Sequence, residues 1–194
     1  SKYFYDDEGS RLFREIMKLP EYYLTRAELK IFTRQTEAIF EAFTDGADAI
    51  DLIGLGAGDG TKTAVLVEQL LKKGIDFSYS PIDISREANE ALSANFRARF
   101  PELRIEPHTG DYFSVLSSLK NGGGRRKILM FLGSNIGNFL QEQALEFFRR
   151  LREVMNPADR LFIGFAMQKD PRVIVAAYLD GTGVTSAFNL NLLA

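Results

Sequence analysis

The chain predicts an α/β fold, a doubly wound and mostly parallel sheet with an N-terminal helical extension. Three observations carry this. Apolar runs of strand length alternate with stretches at helical period along most of the chain. One of these runs, Lys127 to Leu132, is apolar after its first residue, as a strand buried on both faces must be. From Ala49 to Leu71 a strand, a glycine turn and a helix follow one another, the geometry that brings backbone N–H groups and a helix N-terminus against a ligand. Successive βα units joined by right-handed crossovers give such a sheet.

Composition narrows the function. With 194 residues, 45% of them hydrophobic, the chain suits one domain with a single core. The 0 Cys and 1 His exclude a disulfide framework and leave little for a metal cluster, so no metal site is expected. A formal net charge of -2, with no basic face expected, argues against nucleic acid as a partner. No stretch approaches the roughly 18–20 consecutive apolar residues of a membrane span. The N-terminus opens on charged and aromatic residues rather than a signal peptide. A cytoplasmic protein acting on a small molecule is the expectation.

In chain order, Tyr3-Phe4-Tyr5-Asp6-Asp7-Glu8 precedes any regular period. Ser10 can cap a short helix from Arg11 to Lys18, with Leu12, Phe13 and Ile16 on one face, and Pro20 ends it. Thr25 and Glu28 have the spacing of a capping box. They open a helix to about Phe43 whose buried stripe is Leu29, Phe32, Thr36, Ile39, Phe40 and Phe43. Tyr5, Tyr22 and Tyr23 read, on their own, as hydrophobic staple and core. Residues 1–45 thus form a helical segment and residues 46–194 the sheet-bearing core.

Ala49 to Leu55 is the first strand, and Thr61 to Leu71 the helix after the glycine turn. Phe77 to Ile82 is a second strand ending in Asp83, and Ser85 caps the helix that runs to about Phe100. Leu103 to Pro107 is a third strand, with Gly110-Asp111 beyond it and a short helix over Val115 to Leu119. Asn121 to Arg126 is a surface loop with solvated charges. After the fourth strand and the loop Gly133 to Phe139, a helix from about Gln141 to Met155 leads to a fifth strand, Arg160 to Ala166. Pro171 starts a helix reaching Tyr178.

Ligands of such sheets bind beyond the carboxyl ends of the strands, where the strand order reverses. That rule selects the glycine turn, Asp83, Gly110-Asp111 and the Gly133 to Asn138 loop. Thr61 separates Gly60 from Lys62, so the lysine is out of place for a Walker A loop. Gly54, Gly56, Gly58 and Gly60 recur at every second residue, which also breaks the Gly-x-Gly-x-x-Gly dinucleotide fingerprint. Asp83 can accept hydrogen bonds from both hydroxyls of a ribose. Asp111 can accept an adenine amino group, or it can cap a helix. Tyr112 can lie along the purine face. Asp83 alone leaves NAD open, because dehydrogenases use the same strand-end acid. His108 reads as structural.

A Gly-x-Gly-x-Gly turn after a strand resembles motif I of the class I S-adenosylmethionine (SAM) methyltransferases, a Rossmann-like fold. Longer stretches are more specific: Lys2-Tyr3-Phe4-Tyr5-Asp6, Leu19-Pro20-Glu21-Tyr22-Tyr23 with Thr25-Arg26, and Gly56-Ala57-Gly58 with Lys62-Thr63. To these are added Pro81-Ile82-Asp83-Ile84-Ser85, Gly110-Asp111-Tyr112, Gly133-Ser134-Asn135-Ile136-Gly137-Asn138, and Gly183-Val184-Thr185 with Phe188-Asn189. Together they resemble the SAM-dependent histidine Nα-methyltransferases of ergothioneine biosynthesis, whose fungal relatives include a methyltransferase acting on dimethylallyltryptophan.

The resemblance implies that Gly56, Gly58, Lys62, Asp83, Asp111 and Tyr112 hold SAM, and that S-adenosylhomocysteine (SAH) is the product. It implies that Tyr22, Gly133, Asn138 and Tyr178 face the amino-acid substrate. Tyr22, Asn138 and Tyr178 would be the catalytic set that orients the amine. Tyr5 would close a lid over the methyl donor, which makes 1–45 a substrate and lid segment. This revises the core reading of Tyr22 but not of Tyr23. Gly54 departs from the family pattern, standing where an acid is common. Family members also continue into a β-rich segment, so a truncated chain with its fifth strand as an uncovered edge is expected. The implied function is SAM-dependent methylation of the α-amine of histidine or a related amino acid. The alternatives are an NAD-dependent oxidoreductase and a non-catalytic SAM-binding module.

Overall fold

A computed structural model describes residues 7–119 and 124–191. The chain enters through α1 (Asp7–Ile16), α2 (Tyr23–Arg34) and α3 (Thr36–Thr44). Next come β1 (Ala49–Leu55), α4 (Thr61–Lys72), β2 (Asp76–Asp83) and α5 (Arg86–Arg99). Two short strands, β3 (Arg104–Ile105) and β4 (His108–Thr109), precede α6 (Tyr112–Leu119). The chain then forms β5 (Arg126–Phe131), α7 (Gln141–Val154), β6 (Arg160–Ile163), α8 (Pro171–Ala177) and α9 (Val184–Leu190).

Side chains alternate across a strand, so each strand serves two faces. In β1, Ile50 and Leu52 join one core, while Ile53 and Leu55 join the other. β5 repeats this: Ile128 and Met130 lie on the first side, Leu129 and Phe131 on the second. Helices must therefore cover both faces. Phe32, Phe40, Leu66, Leu70 and Phe96, from α2 to α5, cover the first, and Leu116, Phe147 and Leu151, from α6 and α7, cover the second. α1 packs on α9, with the Phe13 and Phe188 rings 5.8 Å apart.

The strands run in the order β3–β2–β1–β5–β6, with β4 pairing farther along β2, and every pair is parallel. This is the doubly wound sheet predicted. The order reverses across β1 and β5, so the carboxyl ends of β1, β2 and β5 open on one place. Among the described residues β6 pairs with β5 alone and forms an edge.

Several local expectations are corrected. The helix expected from Thr25 to Phe43 is two helices that break at Gln35 (φ -109°, ψ 19°). Thr33 and Thr36 flank the break and turn their hydroxyls onto the Leu29 and Phe32 carbonyls, at 2.8 and 2.5 Å, a contact that bends helices. The capping box is absent as well. α2 starts at Tyr23 without a side-chain cap, and Glu28 turns inward. α1 starts before its expected cap Ser10. The third strand splits at Pro107, which has no N–H for the ladder, although the Glu106 amide still donates to the Tyr79 carbonyl at 2.9 Å. β6 ends at Ile163 rather than Ala166.

The charges of Arg125 and Arg126, at the start of β5, are engaged by other elements rather than solvated. Arg125 donates to Asp51 and to Asp76, each at 2.7 Å, and Arg126 is buried with Nη1 on the Phe43 carbonyl at 3.0 Å. They close the amino-terminal end of the sheet, opposite the switch point. Ser85 is the cap expected, its Oγ accepting from the Ala88 amide at 3.1 Å.

Gly60, which precedes α4, holds φ at +71°, and a Cβ there would press into the Phe96 ring. Gly60→Ala should cost about 1–3 kcal/mol. A urea titration should show the midpoint fall with little change in slope.

Candidate active site

The turn after β1 is built from left-handed glycines at alternate positions: Gly56 (φ 68°), Gly58 (φ 58°) and Gly60 (φ 71°). Gly56 is needed for space too, since a Cβ would stand 2.7 Å from the Tyr112 hydroxyl. The end of β2 is tied to this turn. Asp83 accepts from the Gly58 amide on Oδ2 at 3.4 Å and from the Ser85 amide on Oδ1 at 3.0 Å. Asp111 is a helix cap, the second of the two roles open to it. Its Oδ1 caps α6, accepting from the Phe113 and Ser114 amides at 3.1 and 3.3 Å, and its side chain also lines the cavity described below.

The loop after β5 has an unusual backbone. Gly133 and Ser134 follow each other in the left-handed region, at φ 77° and 57°. Ser134 is the non-glycine residue with positive φ among the described residues, and such strain gathers at functional sites. The reversal brings the Asn135 amide within 3.9 Å of where side chains on Gly56 and Gly133 would start. A short 3-10 turn, Asn135–Asn138, follows.

Glu28, on α2, joins these loops. Its Oε2 meets the Lys62 ammonium at 2.6 Å, and its Oε1 accepts from the Gly133 amide at 2.8 Å. The sequence pattern assigned Glu28 to a capping box. The signal that could have corrected this is its position one turn before Phe32, an acid in line with an apolar stripe.

These groups surround a cavity of about 860 Å³, within the range of small-molecule sites. Of the cofactor-side residues expected, Gly56, Gly58, Lys62, Asp83, Asp111 and Tyr112 line it. Of the substrate-side residues expected, Tyr22, Gly133 and Asn138 line it as well. Tyr178 stands behind Tyr22, edge to ring at 5.8 Å and half exposed. Burial pushes its phenol up, only partly offset by its hydrogen bond with Tyr22, so it carries its proton at neutral pH. Tyr5 lies outside the described residues. Tyr23 packs beneath the Lys169 ammonium, 5.2 Å from the ring centre. His108 accepts from the Asn89 side chain through its carbonyl at 2.9 Å, away from the cavity.

The lining suits a nucleoside. A strand-end carboxylate suits sugar hydroxyls, an aromatic hydroxyl group stands over a glycine, and left-handed glycines leave space that side chains would fill. Among the described residues no group of His, Asp and Glu is arranged to hold a metal ion, and no helix is long and apolar enough to cross a membrane.

Solved structures share this fold. A putative SAM-dependent methyltransferase from Methanococcus maripaludis superposes with a TM-score of 0.51 at 19% identity, over 96% of this chain and 77% of that one. An O-methyltransferase from Streptomyces achromogenes, solved in complex with SAM, gives 0.50 at 17% identity, over 95% and 77%. Curated relatives are closer in sequence. The histidine N-alpha-methyltransferase of Mycolicibacterium smegmatis is 38% identical over 194 residues, which is 100% of this chain and 58% of that protein. Ergothioneine biosynthesis protein 1 of Neurospora crassa is 33% identical over 189 residues, 96% of this chain and 21% of that protein. The chain therefore spans little more than half of the bacterial relative and about a fifth of the fungal one. Residues 1–194 match throughout the family described as histidine-specific methyltransferase, SAM-dependent, and the chain belongs to that family.

Proposed function

We propose that this protein is a cytoplasmic N-methyltransferase that uses SAM to methylate the α-amine of an amino acid, histidine or a close relative. The observation that carries the reading is the convergence of Asp83, Tyr112 and Lys62 on one cavity around the left-handed glycines of the β1 turn. The family match and the identity to a histidine N-alpha-methyltransferase support histidine as the acceptor.

SAM supplies a methyl group activated by its sulfonium, which passes to a neutral amine nitrogen while sulfur keeps the bonding pair. The work left to the chain is to hold the nucleoside and to present the amine in line. Asp83 accepts the ribose hydroxyls, and Tyr112 with Asp111 borders the base. Gly133 and Asn138 border the amino-acid end. Tyr22 orients the amine through its hydroxyl, and Tyr178 supports it from behind. The Tyr178 phenol, pushed up by burial, keeps its proton and does not act as a phenolate base. The proton lost by the amine passes to water. Residues 1–45 serve as the substrate wall and lid, a role supported by Phe13, Tyr22 and Glu28 lining the cavity from α1, the connection and α2.

Incubation with SAM and histidine should yield Nα-methylated histidine by mass spectrometry; methylation of the imidazole, or none, would contradict the reading. Asp83→Ala should weaken SAH at least tenfold, because each hydrogen bond to a charged acceptor is worth about 1.5–3 kcal/mol. Unchanged affinity in a folded variant would misplace the nucleoside. Tyr22→Phe keeps the buried ring and removes one hydroxyl. It should lower kcat/KM for histidine roughly three- to tenfold and leave SAH affinity unaltered.

A further inference from the structure

The ion pair between Lys62 and Glu28 is enclosed, with side chains 19% and 14% exposed, and it faces the cavity. Both partners are fixed from outside the pair. The Gly133 amide holds Glu28 Oε1. Gly164, just past β6, leaves the space that this oxygen occupies, since a Cβ on residue 164 would collide with it. Lys62 extends over Gly133, where a Cβ would be 3.1 Å from Nζ. Four segments thus set one cation beside one anion: α2, α4, the loop after β5 and the end of β6.

A preset cation and anion side by side complement a zwitterion, an α-ammonium with its α-carboxylate. Both partners have capacity left. An ammonium has three N–H donors and a carboxylate about four acceptor sites, more than the contacts with each other and with Gly133 consume. The strand that would otherwise supply an acid cannot. β1 carries Gly54 near its end, and a Cβ there would already lie 3.1 Å from the hydroxyl of the fully buried Tyr79. Glu28 lines the same cavity as Gly54 but reaches it from the N-terminal helices.

We infer that Glu28 is a binding residue, the acceptor for the α-ammonium of the amino-acid tail of SAM, with Lys62 donating to the α-carboxylate of that tail. The inference rests on the proposal that the cavity holds SAM. The tail of the cofactor is favoured over the amino-acid substrate because Lys62 opens the helix after the glycine turn, and Asp83, the ribose acceptor, is bonded to that same turn. Glu28 thereby takes the place of an acid at the end of β1, where Gly54 stands. It also makes cofactor affinity depend on the N-terminal segment.

Two variants and three ligands test this by calorimetry, with thermal melts as a check on folding. The ligands are SAH, 5′-methylthioadenosine (which keeps the nucleoside and thioether but lacks the amino-acid tail) and histidine. Glu28→Gln should weaken SAH roughly tenfold or more and leave methylthioadenosine within about twofold. Gly164→Ala displaces the carboxylate without changing any charge, and it should give the same tail-selective loss. Equal losses for both nucleosides would make Glu28 a structural residue only and overturn the inference. So would unchanged SAH affinity in both variants, or a loss confined to histidine. Wild-type protein that binds methylthioadenosine as tightly as SAH would overturn the role of Glu28 alone; binding of neither would overturn the cofactor reading with it.

Discussion

A parallel sheet covered by helices on both faces can keep polar chemistry only at its strand ends. That constraint governs this molecule. From Leu52 in β1 and Ile128 in β5 onward the side chains belong to one apolar core or the other, so neither strand offers a functional group near its carboxyl end. The switch point between them then receives what the strands cannot hold: the left-handed glycines, Asp83 at the end of β2, and the Gly133-Ser134 reversal after β5. At the opposite end of the sheet, Arg125 and Asp51 neutralise each other, which leaves that end closed.

The N-terminal helices would sit beside this frame without a role if they packed through apolar residues alone. Glu28 gives them one. A single carboxylate ties α2 to the lysine of α4 and to the loop after β5. Removing either partner would leave a poorly solvated charge behind, the situation in which half of an ion pair costs more than the whole. The aromatic series Phe13, Tyr22 and Tyr178, with rings 5.9 and 5.8 Å apart in turn, extends the same wall. One wall of the cavity therefore depends on the position of the N-terminal helices.

The sequence made the frame legible because parallel strands and their helices announce themselves by apolar period, and it made Asp83 and the glycine turn legible because topology says where to look. What escaped had non-local causes. Glu28 satisfied a local capping pattern, yet a half-buried lysine and an amide from distant segments compete for it. Arg125 and Arg126 follow a glycine run and look solvated, but their acceptors, Asp51, Asp76 and the Phe43 carbonyl, come from other elements. The left-handed Ser134 has no local signature, since only the loop around it enforces that φ. Pro107 was a readable warning, because proline cannot donate to the ladder that the third strand was expected to continue.

We read the cavity as a site for the methyl donor rather than for a dinucleotide, although Asp83 alone suits both. Calorimetric titration of the folded chain with SAH, set against NADH under the same conditions, separates the two most directly. The expected result is saturable heat with SAH and none with NADH. Binding of NADH in preference to SAH would contradict the account, and the cavity would then belong to a redox enzyme.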